Sequence, residues 1–319
     1  MAQVQESKLK ESDVTNSPIT DADFAPLQVN EADAEKIAGE STSYWKDAWR
    51  RFRQNKLALF GIVVIVLLAI ASFAGGPISG ENYYENDLMR SNQSPSAEHW
   101  FGTDNLGRDV FARTWYGAKI SLFIGLMAAL IDLVIGIIWG AVAGFFGGKV
   151  DEYMMRIADI LYGVPYLLVV ILLMVIMPQG LWTLIIAMTI TGWINMARIV
   201  RGQVMQLRSE EYVMASQSLG ASNSRLLFRH LVPNTMGPIL VTLTLTIPNA
   251  IFTEAFLSYL GLGVPAPLAS WGTMSSDALP ALQYYPYQLF FPAFFICLTM
   301  LAFNVIGDGM RDALDPKER

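Results

Sequence analysis

Cysteine is almost missing from this chain of 319 residues, which holds one, Cys297. A lone thiol excludes a disulfide within the chain and says little about compartment. Histidine is nearly as scarce: His99 and His230 are far apart, and no Cys, His or carboxylate cluster suggests a metal centre or a catalytic constellation. The sequence therefore offers no catalytic residue, no metal ligand set and no cofactor. Charge is thin as well, at 16% of residues against 53% apolar, a balance that excludes an ordinary soluble domain of this length. A phosphate loop is lacking too. The nearest approach, GFFGGKV at 144–150, has Ala143 in place of the leading glycine and Val150 in place of the Ser or Thr that would meet Mg²⁺, and it follows an apolar run instead of a strand. The chain is not expected to be an enzyme, and any ATP hydrolysis it uses must occur on another chain.

Long apolar runs are what the sequence does have. With about 18 to 25 apolar residues required per crossing, six spans are expected, at 57–76, 118–143, 164–178, 181–199, 236–258 and 289–307. The third is short and bounded by Pro165 and Pro178, so it is expected to tilt or to pack inside the bundle. The fold class is all-α and polytopic. Residues 1–43 are acidic, carry most of the net charge of −6, show no periodic apolar face and read as a disordered cytoplasmic tail ahead of a membrane domain at 44–319. The tripeptide AIA at 69–71 resembles a signal-peptidase site, but more than fifty mostly polar residues precede it, so an uncleaved anchor is expected.

Orientation follows from Lys and Arg. Lys46, Arg50, Arg51, Arg53 and Lys56 precede the first span, Lys149 and Arg156 follow the second, five Arg fall between 198 and 229, and Arg311, Lys317 and Arg319 close the chain. The opposite side, including the outer loop at 77–117, has Arg90, Arg108 and Arg113 away from span ends. Both termini and the 200–235 loop are therefore expected in the cytoplasm.

That loop contains RGQVMQLRSEEYVMASQSLGASNSRLLFRHLVPN, Arg201 to Asn234, and a connection so long needs a purpose. Ser209 is a good N-cap, Glu210 and Glu211 suit the positive end of a helix, and Gly220 can close it. Ser222 can cap a second helix that Pro233 should stop. The first helix presents Tyr212, Val213 and Leu219 beside small Ala215 and Ser216; the second carries Leu226, Leu227, Phe228 and Leu231. Such a pair suits a partner's groove or a lipid interface, and spacing alone does not choose.

A resemblance does choose. AlaSer at 215 and 216, Gly220 four residues on and Pro233 after thirteen more resemble the EAA loop of ABC importer permeases, the coupling helix that enters a cleft on the ATPase. Met214 stands where the general family has Glu, and the acids lie upstream at 210 and 211, a form similar to the peptide and nickel branch. FGTDNLGRD at 101–109 is similar to a signature of oligopeptide and dipeptide permeases. EAFLSYLGLGVPAPLASWG at 254–272, MARIVRGQ at 196–203 and the closing FNVIGDGMRDALDPKER resemble the C-type subunits of oligopeptide permeases. The likeness covers roughly residues 44–319.

The resemblance implies a type I ABC importer permease architecture in a bacterial cytoplasmic membrane. It implies a second homologous permease subunit, two ABC ATPase subunits, an extracytoplasmic peptide-binding protein and oligopeptide substrate, with dipeptide or nickel import as the alternative within the branch. It places ATPase coupling on Glu210, Glu211, Tyr212, Val213, Ala215, Ser216, Leu219 and Gly220. A secondary transporter is the competing class, but it would need coupling-ion carboxylates and often repeats, and Asp132 alone is thin support.

Two patterns inside the spans complete the reading. Polar groups there are costly and mark pathways, so Asp132, Asn195, Asn249 and Glu254 are the translocation candidates, the last two beyond Pro248, which should kink its helix. Asp132 could instead pair with a neighbouring helix. Gly136, Gly140, Gly144 and Gly148, preceded by Ser121, Gly125 and Ala129, recur every four residues and should let helices approach closely. Gly147 and Gly148 should end that helix. In FGTDNLGRD, a turn held by Gly102 and Gly107, with Asp104 and Arg108 bonding locally or to a partner subunit, is favoured over a calcium loop, whose spacing is absent.

Overall fold

Small residues decide how this bundle packs. In lipid no hydrophobic force drives one helix onto another, so close van der Waals approach must do it. The protein's structure, a computed structural model, describes residues 44–314. The described residues from Asp47 onward form one unit; the expected disordered tail at 1–43 lies outside the described residues. Among the described residues the regular elements are helical, with one isolated antiparallel bridge between Thr103 and Asp109.

A short helix α1, Tyr44–Phe52, leads to α2, Lys56–Ser79. Asn55 caps α2 by accepting from the Leu57 and Ala58 amides, both at 3.1 Å. The central helix α3, Val110–Phe146, starts at Asp109, whose carboxylate accepts from Ala112 N at 2.7 Å. It is eight residues longer at its N-terminal end than the expected span because that cap holds Arg113 and its polar neighbours in helix, where apolar counting stops. Gly147, at φ 64°, turns the chain out of α3 as expected. Then α4, Gly148–Gly163, and α5, Tyr166–Ile176, follow, bent against each other by 82°.

The third expected span therefore differs from a simple crossing. Eleven residues at about 1.5 Å each reach about 16 Å, half the roughly 30 Å hydrocarbon thickness. Five helices are long and apolar enough to cross, and six crossings result only if the bent α4–α5 pair counts as one. Within the bundle α5 packs Val170 and Met174 against Ile124, Leu184 and Leu257.

The remaining elements are α6, Leu181–Arg208; α7, Glu211–Ser218; the helical run α8 at 223–234; α9, Met236–Tyr259; α10, Trp271–Ala278; and α11, Tyr287–Leu314. Pro248 lies inside a continuous α9.

Steps of four residues advance about 40° round a helix, so the small-residue stripe of α3 winds across two partners. Gly136, Gly140 and Gly144 meet α6: a Cβ would stand 2.6 Å from Met196 Cβ, 2.3 Å from Ala197 O and 2.7 Å from Arg201 O respectively. Gly125 meets α9, where a Cβ would stand 2.6 Å from Ile251 Cγ1, and Ala129 clusters with Ile247 and Ile251. Gly148 has open space around it and takes no part in this packing. On the other side Gly61 of α2 fits against Ala302 O of α11, and Gly75 against Trp115 of α3.

Candidate functional site

Three of the four polar residues singled out inside the spans line one cavity. Asp132 of α3, Asn195 of α6 and Asn249 of α9 border a space of about 540 Å³, together with Tyr166, Thr191 and Thr246. On α9, Thr246, Asn249 and Thr253 stand at i, i+3 and i+7 and form one polar stripe, a spacing visible in the sequence. Tyr166 carries no such signal, since it opens an otherwise apolar run. Gly192 makes room for the acid: a Cβ there would lie 2.4 Å from Asp132 Oδ2. Asp132 is buried and its Oδ1 has no hydrogen-bond partner.

Glu254, the fourth, does not line this cavity. Five residues beyond Asn249 it points about 140° away round the helix. It lies fully buried where α9 meets α10, and its Oε1 accepts from Ser258 Oγ at 2.7 Å and Ser270 Oγ at 2.6 Å. Ser270 also caps α10 with Thr273 in a capping box. Beside them Trp271 donates its amide to Ser121 Oγ at 3.0 Å and its indole N–H to Thr114 O at 3.0 Å, which fixes α10 to α3. An acid in a span does not by itself mark this cavity; the hydroxyl partners of Glu254 come from residues 4 and 16 positions on.

The loop at 77–117 folds round a charge cluster. Asp104 accepts from Leu106 N at 2.9 Å, Arg108 N at 3.0 Å and Arg108 Nε at 2.6 Å, so its bonds are local. Gly102 and Gly107 hold positive φ of 75° and 74°, and a Cβ at Gly107 would collide with Asp87 O. Asp277 of α10 lies 3.6 Å from both Arg108 and Arg113. Burial pushes the Asp277 carboxyl up from its ordinary value, against the pull of Arg113 and Arg108. His99 Nδ1 meets Asp109 Oδ2 at 2.9 Å, both buried.

The connecting loop at the other end forms the knob. The N-cap of α7 is Glu210; Ser209 instead closes α6, donating its hydroxyl to Gln206 O at 2.8 Å. Val213 is buried with Val200, Val204, Leu226, Leu227 and Leu231, so α7 and α8 share one apolar seam with the ends of α3 and α6. Glu211, Met214, Ala215 and Leu219 face outward, Leu219 at 89% exposure. Ser216 is half-buried and donates to Tyr212 O at 2.8 Å; the Tyr212 hydroxyl meets Asn234 Nδ2 at 3.3 Å. Gly220 closes α7 at φ 82°, where an added Cβ would point into open space.

Ser222 caps α8 by accepting from Arg225 N, as expected. Pro233 does not stop α8. A wide turn at Leu226–Leu231, with Val232 N bonding Leu227 O, precedes it, and Pro233 falls in the first positions of the next turn, where a missing N–H costs nothing. Two ion pairs brace α4 against α6: Arg201 to Asp151 at 2.5 and 2.6 Å, and Arg198 to Asp159 at 2.9 Å.

Long apolar helices around a polar cavity, with a helical knob carried by two of them, define a multi-pass membrane permease. The chain belongs to the family of binding-protein-dependent transport system inner membrane components, which it matches over residues 136–319. Residues 43–95 match the N-terminal transmembrane domain of oligopeptide transport permease C. The chain is 66% identical to the oligopeptide transport system permease protein OppC of Bacillus subtilis (strain 168), over 93% of this chain and 97% of that one. It is 55% identical to the dipeptide transport system permease protein DppC of the same organism, over 95% of each. To OppC of Escherichia coli (strain K12) the identity is 42%, over 90% of this chain and 95% of that one. Among solved structures, an inward-facing form of the MetNI methionine ABC transporter matches 62% of this chain and 94% of its own, with TM-score 0.53 and 16% identity, a likeness of fold.

Proposed function

We propose that this chain is a membrane-spanning subunit of an ATP-driven importer of oligopeptides in the cytoplasmic membrane of a bacterium. The 66% identity to an oligopeptide permease over nearly the whole of both chains carries this reading. A second homologous permease completes the pathway, two ABC ATPase subunits supply the energy, and an extracytoplasmic binding protein delivers peptide. A dipeptide importer is the second reading, favoured by the 55% identity to DppC.

Coupling falls to Glu210, Glu211, Tyr212, Val213, Ala215, Ser216, Leu219 and Gly220, with Val213 as the inward anchor and the outward residues as the contact. The outward Met214 and Leu219 support this, since apolar side chains on a polar knob suit a partner's groove. ATP binding closes the ATPase pair, α7 moves with it, and the shared seam of α7 and α8 passes the movement to α3 and α6. Asp132, Asn195 and Asn249 lie along the pathway, and Glu254 ties α9 to α10. Both termini and the knob face the cytoplasm, which the Lys and Arg placement supports.

The test is uptake by the complete complex in proteoliposomes, with tri- to pentapeptides compared with dipeptides. Faster ATP-dependent uptake of the longer peptides is expected; dipeptides alone would favour the second reading, and uptake without ATP would contradict both. Gly220→Pro, which cannot hold a φ of 82°, or Ala215→Asp should abolish uptake while the subunit stays in the membrane. Normal uptake with either contradicts the coupling surface.

A further inference from the structure

Along the cavity the charged and polar groups are lopsided. Asp132 is 6% exposed, its Oδ1 lacks a hydrogen-bond partner, and no Lys or Arg is among the lining residues. The Tyr166 hydroxyl on the same wall is also buried without a partner. Thr246 and Thr253 spend their hydroxyl protons on backbone carbonyls, Thr242 O at 2.9 Å and Asn249 O at 2.8 Å, so toward any other group they can only accept. The side-chain amides of Asn195 and Asn249 add two carbonyl oxygens, with their NH2 groups as neutral donors. The cavity thus combines one carboxylate with several acceptors, a few neutral donors and no Lys or Arg.

An acid buried among apolar helices without a counter-ion is costly, and such a group is retained where something arrives to pair with it. The complement of this wall is a compact cation with several N–H donors. A guanidinium would need a planar fork of acceptors, whereas one carboxylate beside scattered hydroxyls and amides suits the three rotatable donors of an ammonium.

We propose that Asp132 receives the α-ammonium group of the peptide in transit, with Tyr166 and Asn195 beside it as positioning residues. This rests on the oligopeptide reading above. An importer that accepts many sequences can rely only on what all peptides share, the two termini and the backbone amides, and of these only the amino end is cationic. The Asn and Thr stripe of α9 would then lie along the first peptide bonds. Gly192 leaves the carboxylate its room, since any side chain there would displace it.

The complete complex with its binding protein, in proteoliposomes, tests this with three tripeptides: one with a free amino end and no lysine, the same sequence N-acetylated, and an acetylated one containing a single lysine. Asp132→Asn should slow uptake of the free-amino peptide at least tenfold, and Asp132→Glu should restore it to within threefold. Neither acetylated peptide should lose more than twofold in either variant. An equal fractional loss for all three, or no loss for the free-amino peptide, overturns the site. A loss confined to the lysine-containing acetylated peptide overturns the α-ammonium assignment in favour of a side-chain ammonium. A wild-type complex that imports none of the three contradicts the oligopeptide reading as well, whereas a wild-type complex that imports normally beside an equally active Asp132→Asn contradicts this site alone.

Discussion

Where α9 meets α10, Glu254 Oε1 accepts two serine hydroxyls at 2.7 and 2.6 Å beside the Trp271–Ser121 hydrogen bond, while its buried Oε2 has no partner. On the cavity wall, Asp132 has an orphan oxygen and a glycine against its other one. Both are acids in apolar helices, and a count of charges per span treats them alike. Their surroundings divide them by role. A carboxylate that holds two hydroxyls from two different segments, as Glu254 does through Oε1, is part of the frame, because removing it strands those donors. A carboxylate with an unmet oxygen on a cavity wall, as Asp132 has, can take its missing partner from outside, whereas the unmet Oε2 of Glu254 does not border that cavity.

Disruption of both regions at once is the largest effect. Gly140→Leu places a side chain where 2.3 Å separates a Cβ from Ala197 O, and α3 cannot then lie on α6. No folded subunit should accumulate in the membrane, as read by immunoblot of solubilised membranes; normal accumulation would show that the glycine seam does not set the packing. Next, Glu254→Ala leaves the Ser258 and Ser270 hydroxyls without their acceptor and should cost about 3 kcal/mol, seen as a lower unfolding temperature in detergent.

The smallest effect lies in the charge cluster of Asp104, Arg108, Arg113 and Asp277. Asp277 is about half exposed and 3.6 Å from its arginines, so Asp277→Asn should change stability by less than about 1 kcal/mol. Its folded value is raised above the unfolded one, so the group contributes stability at low pH that is lost as pH rises through the folded value. The variant should accordingly flatten a small part of the unfolding profile on the acid side, and a variant profile that steepens there would reverse the assigned sign.

Much of this was legible in the chain. Apolar length located the long helices, because a helix in lipid must satisfy its own backbone and so announces itself by composition. Capping chemistry located Gly147 and Ser222, and the FGTDNLGRD turn folded around Asp104 as its residues suggested. What composition could not supply was anything depending on a second element. Apolar counting gave the third crossing fifteen residues, but the chain bends by 82° between Gly148–Gly163 and Tyr166–Ile176, and tertiary packing sets that angle. Pro233 promised a stop, yet the wide turn before it lets the helix continue. Asp132, Asn195 and Asn249 stood out singly as polar residues, but that they border one cavity depends on how α3, α6 and α9 are rotated. Glu254 stood out for the same reason and turned the other way.

The division of labour between the two acids can be read from one preparation. Thermal unfolding and ATP-driven peptide uptake per folded complex should be measured side by side for Asp132→Asn and Glu254→Ala in the complete complex. The expected result is that Asp132→Asn keeps the wild-type unfolding temperature and loses at least tenfold in uptake, while Glu254→Ala unfolds earlier and retains uptake to within about twofold per folded complex. The reverse pattern, or two variants that lose both properties together, would contradict the assignment of one acid to transport and the other to the frame.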